Sequence, residues 1–376
     1  MQYTEFLQYC LDDHKELPVS AKSIDWSKLL VWAEQQAIVG VVFGGIQKAG
    51  KSLNMPSDVL LKWIGLANQI ENHNQLLNIR CAEVVDAFKG KGFESCILKG
   101  QGNAIMYPNP LLRTPGDIDL WLRSGKSDST DKDVKDIIRS VKQNNPEGKA
   151  NYHHIDFGEF KGVEVEAHYR PTFMNDLIGN RRLQRWMKEH EDEQFCNKIT
   201  LPGQKDSISV PTWEFNVVFQ LSHIYRHVIQ RGIGLRQVID YYYLLKSNTN
   251  RTNDTNIQDT LRNLGLGKIA GAMMWVLNEI LGLDEKYLIA PKNEKRGRIL
   301  LAEIMKGGNF GHCDVENQKA TTAIQKNILR IKRDLRMMRY FPSECLWEPV
   351  FRVYHWMWRL RYILFPAFVR YYYRGQ

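Results

Sequence analysis

The chain has 376 residues, 43% of them hydrophobic and 25% charged, and a net charge of +9. This composition excludes a disordered or low-complexity chain, and the length gives room for two or three domains with a sizeable core. Six cysteines, scattered and without a C-x-x-C pair, argue against a disulfide framework or a structural zinc site.

Residues 1–90 predict packed helices, because apolar residues recur at spacings of three and four. Asp25 is positioned to cap a helix through Trp26, Leu29, Leu30 and Ala33. Val39 to Gln47 forms the next. After Pro56-Ser57-Asp58 a long helix passes through Leu60, Ile64, Ile70 and Leu77, leading into Ala82 to Phe88 and a break at Gly90-Lys91-Gly92. The polar cluster Asn72-His73-Asn74 is expected on a solvated helix face. No catalytic constellation occurs in this region.

The next stretch carries chemistry. Strands are expected near 94–98, 117–122, 152–157 and 163–169, with helices near 101–107 and 131–142. The alternation from Asp117 to Leu120 in Gly116-Asp117-Ile118-Asp119-Leu120 places Asp117 and Asp119 on one strand face. Two adjacent carboxylates repel unless a cation lies between them, and Mg2+ is the ion that one or two carboxylates plus phosphate oxygens suit. Upstream, Lys99-Gly100 offers a cation and a residue past which backbone approaches a ligand, followed by the start of the 101–107 helix. Arg113, four residues before Asp117, is placed to present a forked donor to phosphate. In Val163-Glu164-Val165-Glu166-Ala167-His168 strict alternation puts Glu164, Glu166 and His168 on one face. Tyr152 to Phe157 is compatible with an antiparallel neighbour of that strand, with a turn at Gly158 to Lys161, and brings His153 or His154 within reach of the site.

This order of strand, Lys-Gly turn, helix, loop arginine and G-D-x-D resembles the nucleotidyltransferase superfamily of DNA polymerase beta. More narrowly, it is similar to a group of uncharacterised bacterial nucleotidyltransferases with the pattern L-K-G, Y-P, R, G-D-I-D-L and E-x-H, often met near polysaccharide-synthesis functions. The resemblance is specific over about 93–171. It implies an α+β fold: a small mixed palm-like sheet with helices, flanked by N- and C-terminal helical regions. It also implies a third carboxylate at Glu166, with Asp117, Asp119 and Glu166 holding one or two Mg2+ ions and Glu166 available as general base. Lys99, Gly100, Arg113 and Gly116 would contact the nucleotide phosphates, and His168 would orient Glu166 or touch a phosphate. The substrate implied is an NTP, whose nucleoside monophosphate passes to an unknown acceptor. The alternative is a catalytically inert module that binds a nucleotide or glycan intermediate at the membrane surface.

Beyond Pro171 helices return. Arg181, Arg182, Arg185 and Lys188 around Trp186 are expected on a solvated face, and 202–211 forms a loop. His223 and His227 have the spacing of a metal pair without a supporting ligand, so packing is expected of them. Arg236 and Asp240 share a face and are expected to brace each other. Polar loops follow at 247–256 and 307–317. From Ile331 to Gln376 there are nine Lys/Arg against three acids, so two-thirds of the net charge lies in an aromatic-rich tail. Arginines mixed with aromatics over 336–374 suit packing into the protein or a second subunit, an anionic membrane surface, stacking on nucleic acid or a protein partner, the first two foremost. The charge lies away from the core, which disfavours nucleic acid as the partner. No secretory leader is recognisable from Met1 to Glu5, and no apolar run reaches the ~18 residues of a spanning helix. The chain is expected to be cytoplasmic, with peripheral contact at the inner membrane face through the tail. The regions expected are 1–90 helical, 91–175 nucleotidyltransferase core, 176–330 helical and 331–376 tail.

Overall fold

The fold is taken from a computed structural model, which describes residues 3–124, 130–230, 232–248, 254–308 and 321–364. The tail residues from Phe365 onward and the loops expected at 249–253 and 309–317 lie outside them. The chain divides into two compact units, each assembled from separated segments: residues 1–75, 103–115 and 216–341 form the first, and 76–102, 116–215 and 342–376 the second.

The first unit is helical. It contains α1 (Thr4–Leu11), α2 (Trp26–Gln35), α3 (Val39–Ala49) and the start of α4 (Ser57–Lys89). Asp25 caps α2 by accepting from the Lys28 amide at 3.1 Å. Helix α4 runs unbroken for 33 residues, joining stretches that the sequence suggests as two. Asn74 on α4 is fully buried instead of solvated. Its amide donates to the carbonyls of Leu111 (2.6 Å) and Arg113 (2.8 Å), and so fixes the loop that presents Arg113. Gly40 makes close approach possible in the same unit: a Cβ there would stand 1.9 Å from the Leu112 carbonyl oxygen.

The second unit holds a four-stranded sheet in the order β1 (Phe93–Ile97), β2 (Ile118–Ser124), β4 (Val163–His168), β3 (His154–Phe160). β2 and β4 are parallel; the other two pairings are antiparallel. The fold is thus α+β with a small mixed sheet and flanking helices, as expected. Trp121 stacks on Phe215 at 5.5 Å and meets Phe195 edge-on at 4.9 Å, anchoring β2. One turn of helix, α5 (Gln101–Ala104), follows β1, shorter than the expected 101–107. The β3–β4 turn is Lys161-Gly162, both at positive φ, and Gly158 instead occupies a bulge inside β3 with φ +87°. Helix α6 (Thr130–Asn144) turns Val134, Ile137, Ile138 and Val141 inward.

After β4 come α7 (Leu177–Glu189) and α8 (Glu191–Cys196), then a small hairpin of β5 (Lys198–Thr200) and β6 (Ser207–Ser209), where the sequence suggests only a loop. Helix α9 (Trp213–Gln230) starts here and continues into the first unit, which also holds α10 (Leu235–Ser247), α11 (Asp254–Asn263), α12 (Gly267–Trp275), α13 (Glu294–Gly307) and α14 (Ala323–Met338). The tail helix α15 (Pro342–Arg359) belongs to the second unit. Phe351 stacks on Phe173 at 4.6 Å, and Tyr152 meets Phe351, Tyr354 and Trp358. Packing therefore accounts for this aromatic face. A second face stays exposed and carries Leu346, Val350, Val353, Trp356 and Met357.

Glu344 in the first turn of α15 is fully buried and accepts from the amides of Asn175 (2.8 Å) and Asp176 (3.2 Å). Burial pushes its pKa up from 4.5 to about 7, against the pull of the two amides. A carboxyl raised in this way contributes stability below its unfolded pKa, and that contribution disappears as pH rises through about 7. Glu344→Gln removes the titration. Relative to wild type it is expected to gain up to about 3 kcal/mol between acidic pH and pH ~8, read from urea unfolding. A difference between the two proteins that does not change with pH would contradict this.

Candidate metal and nucleotide site

The site forms on one face of the sheet, in two rows set by strand register. Asp119 on β2 lies directly opposite Glu166 on β4, which lies opposite Asp156 on β3. One side chain further along the same face, Trp121, His168 and His154 form the second row. Period-two alternation explains this placement, since residues two apart on a strand share a face. Glu164, the other candidate carboxylate, is exposed and pairs across from Glu159, one step farther from Asp119.

Asp119 is 3% exposed. A buried carboxylate without compensation is expensive, and two cations offset it here. Lys99 Nζ lies 3.0 Å from Asp119 Oδ1, and His168 Nε2 donates to the same oxygen at 3.0 Å. His168 Nε2 also donates to Glu166 Oε2 at 3.3 Å, and its Nδ1 donates to the Arg170 carbonyl at 3.3 Å. Burial alone would raise the Asp119 pKa, but Lys99 and His168 overcome it and hold the carboxyl well below the carboxylate range. Glu166 is also lowered against burial, chiefly by its hydrogen bond from His168. Burial would lower His168, yet the two carboxylates raise it to about 9.

His154 titrates in the opposite sense. Burial lowers its pKa, and neither Asp156 nor Glu166 restores it. Its Nδ1 lies 3.0 Å from Glu166 Oε2, and its Nε2 is 2.7 Å from the Asn151 amide and 3.4 Å from Asp156 Oδ1. His153 is buried, with its ring 5.4 Å from that of His168. Of the two histidines expected to reach the site, His154 touches Glu166, while His153 lies against His154, with ring centroids 4.3 Å apart. Asp156 is the member that sequence reasoning missed. The signal was present in His154-Ile155-Asp156, whose alternation puts both polar residues on one face.

Donor atoms within 4.8 Å of one another form three groups among the described residues: Asp119–Glu166–His168, His154–Asp156–Glu166 and His153–His154–His168. Asp117, expected beside Asp119, belongs to none of them. It lies half-buried with Gly116 in the segment just before β2, one residue short of the strand that aligns Asp119. Gly100 has φ +53°, in the left-handed region that favours glycine, so the Lys99-Gly100 turn suits this residue. The helix expected to supply an anion site after it is a single turn, too short to build a useful dipole.

Arg113 departs from its expected role. It is 4% exposed, and its Nε and Nη2 both lie 2.8 Å from the two carboxylate oxygens of Asp240, which also accepts from Tyr107 at 2.6 Å. The fork is committed to a buried carboxylate within the first unit, not presented to a phosphate. Arg236, expected to brace Asp240, donates to the Pro115 carbonyl at 3.0 Å and adds its charge to the field that lowers the Asp240 carboxyl. His223 and His227 pack 4.4 Å apart, both within reach of Arg226 Nη2.

The sequence pattern of a family described as uncharacterised nucleotidyltransferase matches residues 22–282, more than half the chain. The chain belongs to that family. No curated protein matches it. Among solved structures, it is similar to an antigenic nucleotidyltransferase-like protein from Paracoccidioides brasiliensis at 12% identity, over 60% of this chain and 96% of the other, with a TM-score of 0.28.

The buried Arg113–Asp240 pair yields a test. Removing one partner leaves the other uncompensated, so Arg113→Ala is expected to lose about 3 kcal/mol or more in denaturant unfolding. A loss below about 1 kcal/mol would free Arg113 for contact with a ligand.

Proposed function

We propose that this chain is a divalent-metal-dependent nucleotidyltransferase that moves a nucleoside monophosphate from an NTP to an acceptor, in a bacterial cytoplasm and in connection with polysaccharide synthesis. The observation that supports it most is the pairing of Asp119 with Glu166 on adjacent parallel strands, with Lys99 3.0 Å from Asp119. The donor chemistry fits a divalent cation, since clustered carboxylates with an imidazole are a metal-binding set. Asp119 and Glu166 would hold the ion, with Asp117 completing the set from the segment before β2. Mg2+ is the ion that the three carboxylates and a triphosphate suit. When bound, it would neutralise phosphate charge and polarise the reacting phosphoryl group.

The protein groups supply the rest. Lys99, 21% exposed on a flexible stem, is placed to turn from Asp119 to a phosphate oxygen and to stabilise charge on the leaving pyrophosphate. The Gly100 turn lets backbone approach the same phosphates. Glu166, 31% exposed, is positioned to accept the proton of the acceptor hydroxyl. The acceptor oxygen then bonds to the α-phosphorus, the bond to the β-phosphate breaks, and pyrophosphate leaves.

Pyrophosphate release with each common NTP tests the reading. Asp119→Ala and Asp117→Ala are each expected to lower turnover by about 10²-fold or more, with near-UV circular dichroism reporting whether the fold survives. Turnover retained in both variants would sink the proposal.

A second reading, an inert binding module at the membrane surface, is favoured by one observation. The exposed arc of α15 carries Leu346, Val350, Val353, Trp356 and Met357 beside exposed Arg352 and Arg359, while its two acids, Glu344 and Glu348, are buried. No helix among the described residues is long and apolar enough to cross a membrane. An interfacial role predicts that the chain floats with anionic vesicles but not zwitterionic ones, and that Trp356→Ala with Arg359→Glu abolishes flotation. Equal recovery with both vesicle types would exclude it.

A further inference from the structure

We propose that His168 is a metal ligand through Nε2, and that the site thereby selects a first-row transition ion such as Mn2+, Co2+ or Zn2+ over Mg2+. The inference rests on the metal-dependent reading above and changes which ion that reading implies.

Donor composition is the first ground. Each of the three groups of donor atoms close enough to share one ion contains at least one imidazole, among the described residues. An ion held by any of these sets takes at least one nitrogen, and in the two sets that contain carboxylates it takes oxygen as well. Mg2+ favours an all-oxygen, near-octahedral shell and keeps its waters. Imidazole suits the later first-row ions, whose affinities rise along the series from Mn2+ to Cu2+.

The orientation of His168 is the second ground, and it is independent of the first. The ring is 1% exposed, so its direction is fixed by what it touches. Nδ1 faces the Arg170 carbonyl at 3.3 Å, which leaves Nε2 directed between Asp119 and Glu166, at 3.0 and 3.3 Å. A histidine that ligates a metal through one nitrogen commonly donates from the other to a backbone carbonyl, and that contact sets ring direction and tautomer. The Arg170 carbonyl is held in turn by the strand end, where the Tyr169 and Arg170 amides both bond the His153 carbonyl, at 3.0 and 3.1 Å. This second layer is what a preorganised ligand needs.

Entry of an ion requires two exchanges. Lys99 Nζ and His168 Nε2 both contact Asp119 Oδ1, so an ion taking that oxygen displaces the ammonium and replaces the Nε2 proton, which is released to solvent and leaves the imidazole lone pair for the ion. Lys99 has partial exposure and a long stem with which to move; His168 has neither. The rigid partner becomes the ligand and the mobile one becomes available to the phosphates. His154 Nδ1 lies 3.0 Å from the same Glu166 Oε2 that His168 Nε2 approaches at 3.3 Å, and helps to orient the shared carboxylate.

The experiment is binding by the full chain, stripped with chelator and without nucleotide. Mn2+ is titrated and followed by the loss of its free paramagnetic resonance signal, with Mg2+ as competitor. Mn2+ is expected to bind at least about tenfold more tightly than Mg2+. His168→Gln places an amide oxygen where the nitrogen stood, and is expected to shrink that preference about tenfold while affecting Mg2+ little. A structural role for His168 would weaken both ions alike, and that result overturns the proposal. Equal affinities of wild type for Mn2+ and Mg2+ overturn it too. Wild type itself gives a reading free of folding effects: with Zn2+, the imidazole nitrogen spectrum should show His168 Nε2 moving to a metal-bound position, and an unchanged signal would refute ligation. Failure here is separable from failure of the transferase reading. Pyrophosphate release supported by Mg2+ and undiminished in His168→Gln would leave the transferase standing without this ligand. His168-dependent Mn2+ binding without turnover on any NTP would do the reverse.

Discussion

The burial of Asp119 is the constraint on which the second unit depends. A carboxylate with 3% of its surface exposed, on a strand whose other buried residues are isoleucine, leucine and tryptophan, is tolerated only with cations in contact. Lys99 and His168 supply them, and each then fixes further structure. Lys99 must arrive at the end of β1, which the Leu98 amide secures by bonding the Asp119 carbonyl at 3.0 Å, and the chain must then turn at once through a left-handed Gly100. His168 must come from a strand parallel to β2 in the one register that sets Asp119 against Glu166. A slip of one residue would send Glu166 and His168 to the opposite face and leave Asp119 without its imidazolium.

The outer layers of this unit serve the same row of side chains. The aromatic face of α15 packs on Tyr152 and Phe173, which bracket the strand ends bearing His153, His154 and His168. Glu344 ties the start of α15 to the Asn175 and Asp176 amides just beyond. In the first unit a different buried charge, Asp240, is satisfied by Arg113 and Tyr107, and Asn74 holds the backbone on which Arg113 sits. Both units thus solve the same problem, a carboxylate withdrawn from water, in different ways. Arg113 gives Asp240 a bidentate, buried partner, which suits a permanent brace. Lys99 gives Asp119 a single, partly exposed one, which suits exchange.

That contrast bears on chemistry. The two imidazoles beside Glu166 are pushed in opposite directions, His168 upward by two carboxylates and His154 downward by burial. One face therefore gathers carboxylates and two imidazoles shifted in opposite directions within a few ångströms, the kind of perturbed cluster that is frequent at functional sites. Membership of the nucleotidyltransferase family places this face in the segment its pattern covers.

Much of this was readable from the residues. Alternation in Val163 to His168 put Glu166 and His168 on one face, and Gly-Asp-Ile-Asp marked the neighbouring strand, because period two is a local property of an extended backbone. The boundaries of β1, β2 and α6 follow from patterning alone to within a few residues, as does the Asp25 cap. Three features had no local signal. That Arg113 pairs with Asp240, 127 positions away, follows from the packing of helices whose apolar spacing says nothing of which polar groups will meet. That Asn74 is buried rather than solvated depends on a loop arriving from residues 111–113. That β2 lies beside β4, so that Asp119 faces Glu166 and meets His168, is a matter of strand order, which sequence periodicity leaves open. The sequence by itself determined which side chains share a strand face; only the tertiary structure decided which faces meet, because pairing and burial are set by contacts between segments far apart in the chain.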